Sequence, residues 1–246
     1  MKETVIATDK LTKRFGNFTA VDAITFEVAQ GEIFGFLGAN GAGKTTAMRM
    51  LCGLLHPTSG QAEVAGFDVF RQREKIKQNI GYMSQKFSLY EDLTIRENIR
   101  LYGGIYGLKN GELQSKSNAL IHRLGLESEA DKLVRSLPLG WKQKLSFSVA
   151  ILHEPKIVFL DEPTGGVDPV TRRQFWDMIY ETADSGITVF VTTHYMDEAE
   201  YCNRVSIMVD GRIDALDSPT ELKKTFHADS MDEVFVQLAR KATRGD

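Results

Sequence analysis

Apolar and polar residues alternate around Ile24, Phe26 and Val28, the period of a strand with one buried face. A turn at Gln30-Gly31-Glu32 separates this strand from residues 33–37, Ile-Phe-Gly-Phe-Leu, a continuous apolar run suited to a strand covered on both faces. Residues 38–43 are too rich in glycine for regular structure. From residue 44 to about 54 the period is helical, with Met48, Leu51 and Leu55 on one side. Residues 87–137 read as mostly helical, with Ile95, Ile99, Tyr102 and Tyr106 at helical spacing. Alternation of element types returns in the last third. Residues 157–160 read as a strand, 169 to about 184 as a helix opened by Pro169, 188–192 as a strand and 196–201 as helical. Residues 205–209 and Ile213 flank Asp210-Gly211, a hairpin signal. Strands alternating with helices predict an α/β fold with a largely parallel sheet covered on both faces. A helical subdomain is inserted over about 87–142. A single domain is expected over 1–224, followed by an amphipathic tail, 225–246. There Val234, Phe235 and Leu238 dock, and 241–246 fray.

A chain of 246 residues with 42% hydrophobic and 26% charged residues buries a sizeable core without disulfides or a structural metal. The net charge of -3 argues against a nucleic-acid binder that relies on a basic face. Cys52 and Cys202 have neither C-x-x-C spacing nor a neighbouring histidine cluster, and read as two reduced, buried thiols. No run approaches the roughly 18 apolar residues of a membrane-spanning helix. Residues 1–10 lack the apolar core of a signal peptide. The expectation is a cytoplasmic chain that reaches the inner face of a membrane only by docking.

Gly38-Ala39-Asn40-Gly41-Ala42-Gly43-Lys44-Thr45 fits G-x-x-x-x-G-K-[ST] between an apolar strand and a helix. Glycines let the backbone wrap close and point N–H groups inward at phosphate oxygens, and the helix adds its positive end. Lys44 reaches the terminal phosphates, and the Thr45 hydroxyl is placed for Mg²⁺. The candidate nucleotide contacts are therefore Gly38, Asn40, Gly41, Ala42, Gly43, Lys44, Thr45 and Thr46. Eight positions in register at a strand–helix junction set the motif apart from a glycine-rich turn with a stray lysine. Alone it specifies a nucleoside triphosphate and nothing finer.

Residues 157–160 lead into Asp161 and Glu162. In an open parallel sheet, ligands gather at the carboxyl ends of strands, which puts Asp161 near the phosphates as a Mg²⁺ carboxylate. Glu162 points elsewhere and is placed to polarise an attacking water.

Asp161-Glu162-Pro163-Thr164 followed by Gly165-Gly166-Val167-Asp168-Pro169 resembles the Walker B motif and D-loop of ATP-binding cassette (ABC) ATPases. His194, in Thr192-Thr193-His194, resembles that family's switch histidine. Gln85, in Tyr82-Met83-Ser84-Gln85, resembles its Q-loop glutamine. Phe15 sits where the family places an aromatic that stacks on adenine, with Phe18 as a nearby alternative. The resemblance runs from about residue 4 to 224, with five motifs in order. It implies a P-loop ABC-type core with a mixed sheet, an N-terminal antiparallel β subdomain and an inserted helical subdomain. It implies ATP and Mg²⁺ as cofactors and ATP hydrolysis as the activity. Each ATP would be sandwiched in a head-to-tail dimer with a second ABC ATPase subunit, identical or not, and the movement would drive an integral membrane permease subunit. In that picture Gln85 contacts Mg²⁺ or the attacking water, His194 donates to the γ-phosphate, and Asp168 communicates across the interface.

The chain departs from the family at the signature, Leu-Ser-Gly-Gly-Gln. The aligned segment is Leu137-Pro138-Leu139-Gly140-Trp141, with a helix expected from residue 141 to about 153. Pro138 removes the serine hydroxyl and Leu139 replaces a glycine, whereas Gly140 remains as a contact for the partner's nucleotide. Losing one hydrogen bond to a charged group costs about 1.5–3 kcal/mol. The site completed by this segment is then either weakened, or sustained by its remaining backbone donors. That segment, the D-loop words and His194-Tyr195-Met196-Asp197-Glu198-Ala199-Glu200 are similar to the branch serving multidrug, polysaccharide or lipid-linked exporters. Phe87-Ser88-Leu89-Tyr90 lies where the family receives the membrane subunit's coupling helix; ordinary subdomain core is the other reading. Two rivals stand beside the exporter: a non-transport ABC ATPase, disfavoured by the lack of a coiled-coil insert, and a weakly hydrolysing ATP-binding module.

Overall fold

A computed structural model describes residues 3–85 and 89–242, with side chains as far as Arg240. The chain opens with β1 (Thr4–Phe15), β2 (Phe18–Ala29) and β3 (Ile33–Leu37), then α1 (Lys44–Leu51), β4 (Ser59–Val64), β5 (Phe67–Asp68), α2 (Arg73–Asn79) and β6 (Ile80–Met83). A helical segment follows, with α3 (Ile95–Ile105), α4 (Asn110–Arg123) and α5 (Leu139–Ala150). The chain returns through β7 (Ile157–Asp161), α6 (Pro169–Asp184), β8 (Thr188–Thr193), a 3-10 turn at Met196–Tyr201, β9 (Arg204–Val209) and β10 (Arg212–Asp217). It ends with α7 (Pro219–Phe226) and α8 (Met231–Ala242).

Two sheets form. A four-stranded antiparallel sheet has the order β2-β1-β4-β5, and a six-stranded sheet has the order β10-β9-β3-β8-β7-β6. In the second, β9, β3, β8, β7 and β6 are parallel and β10 is antiparallel. The mixed α/β sheet and the antiparallel N-terminal sheet match the expectation.

The central strands show why continuous apolar runs were needed. Phe34, Phe36, Ile157, Phe159 and Phe190 face one core, shared with the four-stranded sheet and α1. Ile33, Leu37, Val158, Leu160, Val189 and Val191 face a second core, covered by α5, α6 and the C-terminal helices. Within that second core Met231, Val234 and Leu238 of α8 are buried. Ile95, Ile99, Leu120, Ile121 and Leu145 centre a third cluster that unites α3, α4 and α5. The Asp210-Gly211 turn has φ of 46° and 83°, the left-handed pair that a two-residue hairpin requires.

Some bounds differ from the periodicity. α1 stops at Leu51 because Gly53 turns left-handed (φ 67°) and Leu54 N–H folds back to Arg49 O at 2.9 Å. Between α4 and α5, where the 87–137 region was read as mostly helical, the chain forms turns, an antiparallel bridge of Leu133 to Thr94 and a short 3-10 turn at Val134–Ser136. α5 begins at Leu139 and ends at Ala150, two residues earlier at its start than expected. β4, β5, α2 and β6 carried no recognised period, because each is too short to display one. The helical reading of 196–201 is met by a 3-10 turn, Met196–Tyr201.

Candidate functional site

The topology lines up the carboxyl ends of four parallel neighbours. β3 runs into the glycine-rich loop, β8 into His194, β7 ends at Asp161, and β6 leads to Gln85. Sequence-distant groups therefore meet at one edge of the sheet.

The loop is fixed from behind. A Cβ on Gly38 would lie 2.4 Å from Met208 O, and one on Gly43 (φ 104°) would lie 2.4 Å from Ala20 O, so neither position accepts a side chain. Ala42 packs into the core and its carbonyl accepts the Gly211 N–H at 3.1 Å. Gly38 and Ala42 thus hold the loop in place, while Asn40, Gly41, Gly43, Lys44, Thr45 and Thr46 face a cleft of about 330 Å³ together with Phe18, Gln85 and Glu162. Lys44 is buried, and its Nζ donates to Gly38 O at 2.7 Å and Ala39 O at 3.1 Å. Burial lowers its pKa, with the neighbouring Glu162 carboxylate opposing the shift.

Asp161 and Glu162 diverge as adjacent residues at a strand end must. Asp161 is buried, and its Oδ1 accepts from Thr45 Oγ1 at 3.2 Å and Thr192 Oγ1 at 2.7 Å. Burial raises its pKa, with both hydroxyls acting against that shift. Glu162 adopts a left-handed backbone (φ 48°), held by its N–H to Thr192 O and Oγ1, both at 3.1 Å. Its carboxylate becomes a hub. Oε2 accepts from Gln85 Nε2 at 2.9 Å and lies 3.1 Å from His194 Nδ1, an ion-pair approach without hydrogen-bond alignment. Oε1 lies 3.6 Å from Lys44 Nζ. Thr192 escaped the sequence reading, although its place two residues before His194 at a strand end was the available signal.

Asp161 and His194 sit just behind the cleft against Thr45 and Glu162, whereas Phe15, Gly140 and Asp168 are not brought to it. Phe15 is the cross-strand partner of Phe18 at the tip of the first hairpin, yet only Phe18 lines the cleft. The Phe15 ring is half-exposed beneath Lys13, whose Nζ lies 5.0 Å from its centroid. Gly140 and Asp168 line a second cleft, of about 380 Å³, with Pro138, Leu139 and Trp141. The two clefts share no residue. Pro138 occupies the N-cap of α5 and supplies no capping side chain, whereas Asp168 caps α6 by accepting from Val170 N and Thr171 N, each at 3.0 Å. Gln143 Nε2 donates to Gly165 O at 3.1 Å and ties the signature helix to the D-loop of the same chain. Of the expected docking stretch, Phe87 and Ser88 lie outside the described residues; Leu89 is core and Tyr90 is exposed.

A family model described as ABC transporter matches residues 21–165, which hold both the glycine-rich loop and the Asp161-Glu162 pair. The chain belongs to the ABC transporter family. The probable multidrug ABC transporter ATP-binding protein YbhF of Escherichia coli is 48% identical over 96% of this chain, which spans only 42% of that protein. The linearmycin resistance ATP-binding protein LnrL of Bacillus subtilis is 33% identical, with 97% of this chain and 77% of LnrL covered. A solved ATP-binding subunit of an ABC transporter superposes with a TM-score of 0.86 at 28% identity, covering 96% of this chain and 99% of that one. The ABC fold of an ATP-binding domain therefore accounts for nearly the whole chain, with the loop, the two acids, Gln85 and His194 at its sheet edge. Both cysteines are free and buried, and burial pushes the Cys52 and Cys202 thiols up. Among the described residues, no helix is long and apolar enough to cross a membrane.

Proposed function

We propose that this chain binds and hydrolyses ATP as the cytoplasmic motor of an ABC exporter, paired with a second ATPase subunit and docked on a membrane permease. The observation that carries the reading is the Glu162 carboxylate, which meets Gln85, His194 and Lys44 beside Thr45 and the glycine-rich loop. In this reading Lys44, the loop amides of residues 38–45 and Thr46 hold the triphosphate. Glu162 orients a water and accepts its proton, Gln85 aligns that water, and His194 faces the γ-phosphate. Hydrolysis then places an attacking oxygen on the terminal phosphorus, with the ADP oxygen as leaving group.

The residues present suit Mg²⁺. Thr45 and Asp161 offer hard oxygen donors that already converge at 3.2 Å, with Gln85 across the cleft. No group of three or more His, Cys, Asp or Glu among the described residues is placed to hold a metal alone, so phosphate oxygens and water complete the set. When bound, the ion neutralises charge on the transferred phosphoryl group.

The second subunit is supported by the two separate clefts: the signature and D-loop segment of one chain does not reach its own glycine-rich loop. Permease docking is supported by a groove of about 340 Å³ that includes Leu54, Tyr82, Ile105 and Tyr106, with Leu54 and Ile105 exposed. Export rests on the multidrug and linearmycin-resistance relatives.

Phosphate release from Mg·ATP tests the reading. Release should fall to background in Lys44→Ala and Glu162→Gln, and Glu162→Gln should still bind ATP. Equal rates in parent and Glu162→Gln would refute the hydrolytic assignment. Copurification with a multi-helix membrane protein tests the permease.

A further inference from the structure

The loop that carries Glu162 and Asp168 and the turn that begins at His194 converge on one buried carboxylate. Glu198 is fully buried. Its Oε1 accepts from Thr164 Oγ1 at 2.6 Å, and its Oε2 has no hydrogen-bond partner. The nearest cation is Arg172, whose Nε lies 3.7 Å from Glu198 Oε1 without a hydrogen bond and whose Nη1 lies 3.6 Å from Asp197 Oδ2. Arg172 stands on the first turn of α6, where its N–H bonds Asp168 O at 2.9 Å. Its guanidinium covers the ring of Tyr195, with Cζ 4.4 Å from the centroid. The Tyr195 ring in turn lies against the His194 imidazole, centroid to centroid 4.1 Å.

These contacts form one chain: Thr164, Glu198, Arg172, Tyr195, His194. One end, His194, lies beside Glu162, and the other, Thr164, is buried two residues beyond it in the chain. Packing alone does not call for the charged pair, since apolar sets of similar volume are often as stable as buried ion pairs. Opposite charges facing each other between two loops, even at 3.7 Å without a hydrogen bond, favour one register over others in a way an apolar contact does less sharply. The 162–168 loop begins at Glu162 in the first cleft and ends along the second, where Gly166, Val167 and Asp168 are lining residues. Asp168 caps the same first turn of α6 that carries Arg172, so the cap and the guanidinium belong to one turn.

We infer that Arg172 and Glu198 are positioning residues that hold His194, through Tyr195, in register with the 162–168 loop. A shift of Asp168 is then felt at the imidazole. The inference rests on the proposed role of His194 in ATP hydrolysis, but its geometry stands in the ligand-free chain.

The test has two arms. In the first, imidazole resonances of the ligand-free, histidine-labelled chain are recorded, with His194 assigned by its loss in His194→Ala. Arg172→Met keeps the aliphatic stem and removes the charge. Arg172→Met with Glu198→Gln also removes the orphaned carboxylate and keeps a folded comparison in hand. Either variant should shift or broaden the His194 signal and leave those of the surface residues His122 and His227 in place. An unmoved His194 signal in a folded variant overturns the inference. In the second arm, kcat for ATP should fall about tenfold with KM within twofold, and adding Arg172→Met to His194→Ala should cost nothing further. Unchanged kcat, or a loss that adds in full to that of His194→Ala, overturns it as well. A parent chain without ATPase activity defeats the proposed function instead, and the resonance arm still decides whether the relay holds His194.

Discussion

Gly140 lies so close to Thr171 that a Cβ at position 140 would stand 2.6 Å from Thr171 Cγ2. Thr171 in turn donates its hydroxyl to Asp168 Oδ2 at 2.6 Å. The glycine that the altered signature retains therefore has a reason inside its own chain: it lets α5 close on α6 beside the D-loop. Gly140→Ala should destabilise this junction by about 1–3 kcal/mol, the usual range for overpacking. Thermal melting checks it. Adding Thr171→Ser removes the clashing methyl and should recover most of the loss; a Gly140→Ala chain as stable as the parent would contradict the packing argument.

Pro138 stands at the N-cap of α5 with no side-chain acceptor, and Leu139 projects into the second cleft, half-exposed. In the proposed dimer this cleft meets the partner's triphosphate, so a hydroxyl at 138 and a bare backbone at 139 should strengthen the contact. Pro138→Ser with Leu139→Gly, placed in a Glu162→Gln background to block turnover, should move the sedimentation profile toward dimer with ATP. A bonus of one charge-assisted hydrogen bond, about 1.5–3 kcal/mol, corresponds to roughly tenfold or more in the dimer constant. An unchanged profile would mean that Leu-Pro-Leu-Gly-Trp is an equivalent signature.

How much of this site was legible beforehand follows from what each residue must do alone. The loop 38–45 was readable because close phosphate approach demands glycines and a lysine in one contiguous stretch. Asp161 and Glu162 were readable because an apolar strand ending in two acids is local too. The Arg172–Glu198 pair was not: it joins α6 to the turn after β8, and neither residue differs in sequence from an ordinary surface charge. Nor was the choice between Phe15 and Phe18. Both lie on the first hairpin as cross-strand partners, and their sequence positions do not say which ring lines the cleft. The short strands β4 and β6 were missed for a related reason. Their stability comes from pairing with β1 and β7, not from a pattern of their own.

The placement of Phe18 carries its own prediction. Its ring is exposed beside the cleft that holds Lys44 and Thr45, which under the proposed function puts it within reach of the nucleobase. Base–aromatic stacking is worth about 1–3 kcal/mol. Phe18→Ala should therefore weaken adenine-nucleotide binding about tenfold, with Phe15→Ala within twofold of the parent. Fluorescent-nucleotide titration separates them, and the reverse ranking would return the stacking role to Phe15.

His153 links the helical segment to the central sheet. Its ring stacks on Tyr106 with centroids 3.8 Å apart, and Nε2 approaches Ile80 O at 3.1 Å in β6, the strand that leads to Gln85. Burial lowers its pKa to about 4, and nearby Lys116 adds to that, whereas the Ile80 carbonyl acts the other way. The folded chain therefore resists a proton that the unfolded chain takes up near pH 6.5. The sign follows: the neutral ring's contribution is complete above pH 6.5 and is lost as pH falls toward 4. Because the ring is partly exposed, the loss is set at about 2 kcal/mol, below the full linkage value. His153→Gln keeps a donor for Ile80 O and does not titrate. It should cost some stability at pH 7.5 through the lost stack, and show a shallower decline between pH 6.5 and 4.5. Urea unfolding across that window measures the two slopes, and parallel slopes would mean that His153 titrates as it would in water.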